Sequence, residues 1–384
     1  MLSAEHPPDD ARVVRKEGAA LAAAGWRVTH IAPSAGAVPA MVAGVALRPY
    51  PPGRGRLARL PGLLRRAMRS GAAVLHASEP DAWFVALLAA RFSGARVVLD
   101  VHEHYPSRLD GRVPGWARPW ARGAIRLACR IAAWGADAVV VAKDGLAEDF
   151  GDPARIVAVR NYAAVPAIAP RSHGPGPLRL LHLGALGASR GALLLPEILA
   201  RSPAGATLTL LGRFTDGSEA AFFARARALG VEDRITLTGW MPAEAALAEA
   251  ARHDIGLVLF QPGVENHRLA LPHKLFDCMA AGVPVIAPGF ATEVATVVRG
   301  ARCGLLVDVA DAAAVAAAIL ALDDPARRAA LGAAGRAAAA GEYGWAGEAR
   351  KLVGLYRRLG AGRMIASSRD DGARPCPARP PTSP

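Results

Sequence analysis

Lysine is almost missing from this chain of 384 residues. Only four of its 46 basic residues are lysine, Lys16, Lys143, Lys274 and Lys351, and the rest are arginine. Cysteine is equally sparse: Cys129, Cys278, Cys303 and Cys376 stand far apart without paired spacing. That argues for reduced thiols in the cytosol and against a disulfide framework or a zinc site. His6, His76, His182, His253, His267 and His273 lack metal-ligand spacing, so no metal is expected. Although 52% of the chain is hydrophobic, it has no run of about 18 uncharged apolar residues, so no membrane-spanning helix is expected. Residues 1–10 lack the apolar centre of a signal peptide. Zinc-finger, helix-turn-helix and aromatic-basic RNA patterns are absent, so nucleic acid is not the expected partner.

What the chain has in excess is positive charge. A net charge of +13 and a pI near 10.5 call for an anionic partner. The charge is concentrated. Arg54, Arg56, Arg59, Arg65, Arg66 and Arg69 share a short segment with Leu57, Leu60, Leu63, Leu64 and Met68. A second segment, 116–134, carries Arg118, Arg122, Arg126 and Arg130 among Trp116, Trp120, Ile125, Leu127 and Ile131. Basic residues beside Trp and Leu suit helices lying on an anionic membrane surface. They also suit ordinary amphipathic helices with solvated arginine faces.

The length predicts two or three domains. Periodicity predicts a helix over 10–24, stopped by Gly25, then strands over 28–32, 74–77, 97–101 and 138–142. Strands alternating with helices imply a parallel sheet covered on both faces. Proline and glycine interrupt this over 163–177, which reads as a linker. The alternation then restarts, with strands over 178–183, 207–211, 235–237, 255–260 and 283–287. The expected organisation is a first Rossmann-like domain over 1–162, the linker, a second over 178–345, a helix over 346–359 and a disordered tail over 360–384. The fold class is α/β, with two Rossmann-like domains facing a cleft. Nothing before the first helix is long enough for a full central strand. Either the native gene starts upstream, or residues 2–5 supply a stub.

The most informative stretch is Leu271-Pro272-His273-Lys274-Leu275-Phe276-Asp277, followed by a helix stop at Gly282 and an apolar run. Pro272 suits a helix start, where its missing N–H is not needed. Lys274 and Asp277 lie three apart, on one face near the end of the helix that attracts anions. Lys274 could hold a diphosphate, as a compact point charge for which arginine is no equivalent. Asp277 could accept two ribose hydroxyls. The same spacing also suits an exposed ion pair.

These residues resemble the retaining GT-B glycosyltransferases of family 4. The resemblance runs to about residue 359. It rests on the opening helix, on Asp100-Val101-His102-Glu103, on Leu183-Gly184-Ala185-Leu186 with Arg190-Gly191, on Thr238-Gly239-Trp240-Met241-Pro242 and on the LPHKLFD helix. It implies that Lys274 and Arg190 hold the donor diphosphate, that Gly184 forms the phosphate-side loop, that Asp277 binds the ribose and that His102 lines the donor-sugar site. The family's first motif glutamate is replaced by Leu269, so Glu265 or Asn266, in a loop reaching Leu271, would have to substitute. The glycine-rich loop of the first domain is replaced by His6-Pro7-Pro8-Asp9-Asp10. On their own, His102 also suits a strand cap, Gly184 a tight turn and Arg190 a solvated side chain.

The function implied is transfer of a sugar from a nucleotide diphosphate donor to a glycan or lipid-linked acceptor. It would proceed with retention, without metal or other cofactor, at the cytoplasmic face of the membrane. A nucleotide-sugar epimerase and a non-catalytic nucleotide-sugar-binding scaffold are the alternatives.

Overall fold

The computed structural model describes residues 1–360 apart from Arg54, Ala163, Ala164, Pro166 and Ala167. Part of the expected linker, and the tail beyond Gly360 with Cys376, lie outside the described residues. The first domain holds β1 (Val28–Pro33), β2 (Met41–Val42), β3 (Val45–Tyr50), β4 (Val74–Ala77), β5 (Arg96–Val101), β6 (Ala138–Val141) and β7 (Ile156–Ala158). They form two groups, ordered β1-β3-β2 and β4-β5-β6-β7. Leu2 joins them, bridging Ile31 on one side and Ala77 on the other, both in parallel. Residues 1–3 therefore stand as a very short central strand. All pairings in this domain are parallel except that of β2 with β3.

The second domain repeats the plan with β8 (Arg179–Leu183), β9 (Thr207–Leu211), β10 (Ile235–Leu237), β11 (Ile255–Leu257), β12 (Val285–Pro288) and β13 (Gly304–Val307). Its wholly parallel sheet is ordered β10-β9-β8-β11-β12-β13. The order reverses direction at β8, which opens a crevice beyond the carboxyl ends of β8 and β11. Near-continuous burial of β6, β11 and β12 reflects cover by helices on both faces. The helix Trp345–Arg358 returns to the first domain, where Leu352, Leu355 and Tyr356 are buried with Val14, Leu21 and Val140.

Three local features depart from the pattern reading. The expected helix over 10–24 is a π-helical turn, Val13–Gly18, followed by a short α-helix, Ala19–Ala23. The wider turn lets Arg12 and Glu17 face the same buried point, where Arg12 Nη2 lies 2.7 Å from Glu17 Oε1 and 3.0 Å from Asp100 Oδ1. The β2–β3 hairpin escapes the periodicity because it is only two residues long on one side. It turns through Ala43 and Gly44, both at positive φ, as tight hairpin turns require. Finally, part of the arginine excess is already neutralised. Arg122 pairs with Asp110, Arg126 with Asp149, and Arg56 with Glu5 and Asp81.

Candidate functional site

On the second domain, the helix His273–Ala280 begins at Pro272, whose extended ψ of 145° ends the preceding loop. Lys274 is buried at 8% exposure and donates from Nζ to His182 Nε2 at 3.1 Å. Its ammonium also lies 5.5 Å from the centre of the Phe260 ring. Burial, reinforced by the nearby Arg190 charge, lowers the Lys274 pKa to about 7. Burial and Lys274 together push His182 well below the usual histidine range, leaving it neutral and able to accept. Among the described residues no carboxylate lies within ion-pair distance of Lys274 or Arg190. Gly184 stands at φ 87°, a conformation that favours glycine, and a β-carbon there would make ordinary contact with Lys274 Cε at 3.9 Å. Gly191 is sterically fixed as well: a β-carbon would lie 2.5 Å from the Leu259 carbonyl oxygen. The loops after β8 thus bring Gly184 and Arg190 to the start of the Lys274 helix.

Asp277 is half-buried, and its carboxylate has no hydrogen-bond or ion-pair partner among the described residues, although its backbone carbonyl accepts the Ala281 N–H. Burial raises its pKa to about 6, against the opposing pull of Lys16 and then Lys274. Lys16, which the motif reading did not single out, reaches over from the first domain. Its Nζ donates to Asn161 Oδ1 at 3.0 Å and the Tyr162 carbonyl at 2.8 Å, and lies 3.4 Å from His273 Nδ1. Burial lowers its pKa to about 7. Lys143, at the end of β6, is also buried and lowered to about 8 by burial. Two of the four lysines, Lys143 and Lys274, are therefore buried, and Lys16 is half-buried where the domains meet. The scarcity of lysine was the one sequence signal that could have found Lys16 and Lys143.

On the first domain, His102 follows β5 and its Nε2 hydrogen-bonds to Asp100. Burial would raise the Asp100 carboxyl, but the Arg12 guanidinium and His102 outweigh it and hold the group well below the usual carboxylate range. His6 meets His102 edge-on, with ring centres 5.0 Å apart. Glu79 fixes the loop before His6 by accepting the backbone N–H groups of Ala4, Glu5 and His6. Burial would lower the His6 pKa, but Asp10, 3.0 Å away, and Glu79 raise it to about 9. This corner is the topological switch point of the first sheet, where a crevice forms naturally. Glu17, His76 and Asp100 converge closely enough to ligate a cation. Arg12 already occupies that point, so the arrangement is a buried ion-pair network.

The loop expected to replace the missing sugar-binding carboxylate is engaged elsewhere. Glu265 pairs with Arg268 at 2.6 Å. Asn266 Oδ1 accepts the His104 backbone N–H across the cleft at 2.9 Å. Leu269 is buried against Gly145, where a β-carbon would come within 2.8 Å of Leu269 Cδ2. Leu271 packs on the apolar cluster around Phe276.

Residues 11–162 match the glycosyl transferase 4-like domain, and residues 178–324 match glycosyl transferases group 1. The chain is a glycosyltransferase of GT-B fold. No curated protein matches it. Among solved structures, the glycosyltransferase resembles sucrose-phosphate synthase of Thermosynechococcus elongatus, with 20% identity, a TM-score of 0.70 and coverage of 90% of this chain and 92% of that one. It also resembles Anabaena HepE in complex with UDP and glucose, with 15% identity, a TM-score of 0.70 and coverage of 93% and 99%. WaaG, a glycosyltransferase involved in lipopolysaccharide biosynthesis, matches with 17% identity, a TM-score of 0.59 and coverage of 87% and 92%. At these identities the likeness concerns the fold.

Proposed function

We propose that this glycosyltransferase moves a sugar from a nucleoside diphosphate donor to a glycan or lipid-linked acceptor, with retention and without a metal. The observation that carries this reading is the buried Lys274 ammonium with no carboxylate partner, at a helix start beside Gly184 and Arg190. A buried cation without an anion is costly unless a ligand supplies one. A diphosphate fits: Lys274, Arg190 and the helix N–H groups would meet its oxygens. They would stabilise the negative charge that grows on it as the sugar departs. Asp277 would take the ribose hydroxyls. His102, oriented by Asp100, and the His6 imidazolium would face the transferred sugar and the acceptor.

The acceptor reading extends to an anionic membrane surface, with the protein peripheral at the cytoplasmic face. Trp116, Trp120, Leu127, Ile131 and Trp134 are each at least 60% exposed, and their spacing places them on one stripe of the helix Arg118–Trp134 and the turn before it. No helix among the described residues is long and apolar enough to cross a membrane. The test is a thermal-shift panel of nucleoside diphosphates and their sugars, followed by transfer assays with the donor that stabilises. Failure of every diphosphate to stabilise the protein overturns the donor reading. Turnover of donor without acceptor favours an epimerase, and tight binding without turnover favours a scaffold.

A further inference from the structure

Of the two buried lysines, the donor reading uses Lys274 and leaves Lys143 without a role. Lys143 follows β6 in extended backbone, at φ −161° and ψ 152°. Only 7% of it is exposed, and its ammonium has no hydrogen-bond or ion-pair partner among the described residues. Two residues on, Gly145 touches the second domain twice. Its N–H donates to Glu293 Oε1 at 3.3 Å, and a β-carbon on it would lie 2.8 Å from Leu269 Cδ2. Lys143 therefore stands at the seam between the domains. The carboxylates whose fields reach it are committed elsewhere, Glu293 to the Gly145 N–H and Glu103 to Arg108 at 3.4 Å. Burial outweighs their pull and lowers the Lys143 pKa to about 8, so the ammonium persists at neutral pH. A buried cation in that state is costly until a ligand brings an anion.

His267 locates this cation relative to the proposed diphosphate site. Its Nδ1 donates to the Gln261 carbonyl at 2.9 Å, and its ring stacks on Phe260 with centres 5.0 Å apart. The Lys274 ammonium lies 5.5 Å from the centre of the same Phe260 ring. Burial lowers the His267 pKa, the Gln261 carbonyl opposes it, and the charges of Arg190, Lys143 and Lys274 lower it further. Lys143 itself responds to Glu103 and Glu293, and Lys274 to Arg190 and Asp277. His267 thus stands between two cationic sites. Arg190 and Lys274 make one. Lys143 makes the other, on the first-domain side, where a sugar joined to the diphosphate would extend.

We propose that Lys143 is a specificity-determining residue that pairs with a carboxylate on the donor sugar, so that the donor is a nucleoside diphosphate hexuronate. This assignment rests on the donor reading above. An ammonium is a compact point charge and can meet a single carboxylate without help from a second cation. A neutral hexose offers only hydroxyls, which leave the buried charge uncompensated. Leu269, packed beside Gly145, brings no carboxylate of its own to this corner.

The experiment is titration calorimetry on the full chain with UDP, UDP-glucose and UDP-glucuronate, and with GDP, GDP-mannose and GDP-mannuronate. With whichever base binds, the hexuronate should bind at least about tenfold more tightly than the hexose, as for a hydrogen bond between charged groups. Lys143→Met should reduce the hexuronate to the affinity of the hexose. It should change free diphosphate binding by less than about twofold, because the two cationic sites are separate. Lys143→Arg, which keeps the charge, should retain a preference for the hexuronate. Lys143→Gln carries the same comparison if Lys143→Met fails to fold. Equal binding of hexuronate and hexose to the unaltered protein overturns the proposal without any variant. Equal losses for free diphosphate and hexuronate in Lys143→Met also overturn it, and move Lys143 to the phosphates. Failure of every diphosphate to bind is a different outcome: it removes the donor reading, and this assignment with it.

Discussion

The Nζ of Lys274 and the Nε2 of His182 lie 3.1 Å apart, and both side chains are buried. A neutral imidazole is thus the hydrogen-bond partner of a cation that the interior penalises. Replacing the ammonium by an apolar chain of similar shape should relieve that penalty. Lys274→Met is expected to raise Tm in the absence of ligand while weakening nucleoside diphosphate binding by about 1.5–3 kcal/mol, the worth of a hydrogen bond to a charged group. Scanning calorimetry and titration calorimetry on the same preparations check both signs. Unchanged affinity would remove Lys274 from the diphosphate site.

The same lysine sets a pH dependence. Its pKa in the free protein is lowered to about 7, whereas Asp277 is raised to about 6. A diphosphate binds the ammonium form. Above pH 7 the free site has lost that proton and must regain it, so affinity falls as pH rises, by up to about 1.4 kcal/mol per pH unit. Below pH 6 Asp277 protonates and loses its capacity to accept two hydroxyls, so affinity falls there too. Titrations in buffers of different ionisation heat should detect proton uptake at pH 8. Its absence would show that Lys274 is charged throughout.

Variants of Asp277 and Leu269 separate donor binding from transfer under the proposed reading. Asp277→Asn should weaken free-nucleotide binding by about 1–3 kcal/mol, because an amide cannot accept as a carboxylate does. Asp277→Glu should retain binding. Leu269→Glu places a charge beside Gly145 and should change the transfer rate more than nucleotide affinity. Matching values for Asp277→Asn and the unaltered protein in both measurements would leave the helix with a structural role only.

The exposed tryptophans give a separate test. Replacing Trp116, Trp120 and Trp134 together by serine should reduce sedimentation with anionic vesicles at least about tenfold, given what each ring contributes at an interface. Binding by the unaltered protein should weaken with salt, since only Arg118 and Arg130 of that helix are free of ion pairs among the described residues. Equal sedimentation with neutral and anionic vesicles would contradict the electrostatic part.

The two sheets were legible because buried parallel strands read as short apolar runs between helices, as in 138–142 and 207–211. The hairpin at Met41–Tyr50 and the strand at Gly304–Val307 were not. One has a partner of only two residues, and the other is half-buried at a sheet edge. The second-domain cluster of Gly184, Arg190 and Lys274 could be assembled from sequence because its order along the chain follows the strand ends. The contribution of Lys16 could not. It lies some 260 positions from Asp277 in the chain, and only the meeting of the domains brings them together. The engagement of Glu265 by Arg268 and of Asn266 by His104 likewise depends on local rotamers and on the opposite domain.

The chain passes between its domains twice, once after Tyr162 and once at Tyr343, and these two rings pack edge-to-face with centres 5.5 Å apart. Phe276 packs on Tyr162 at 4.9 Å, which places the helix His273–Ala280 beside both crossings. Two crossings side by side tether the domains at one place, next to Lys16, His273 and Asp277. A second tie stands apart from them in the chain, where Asn266 Oδ1 accepts the His104 backbone N–H.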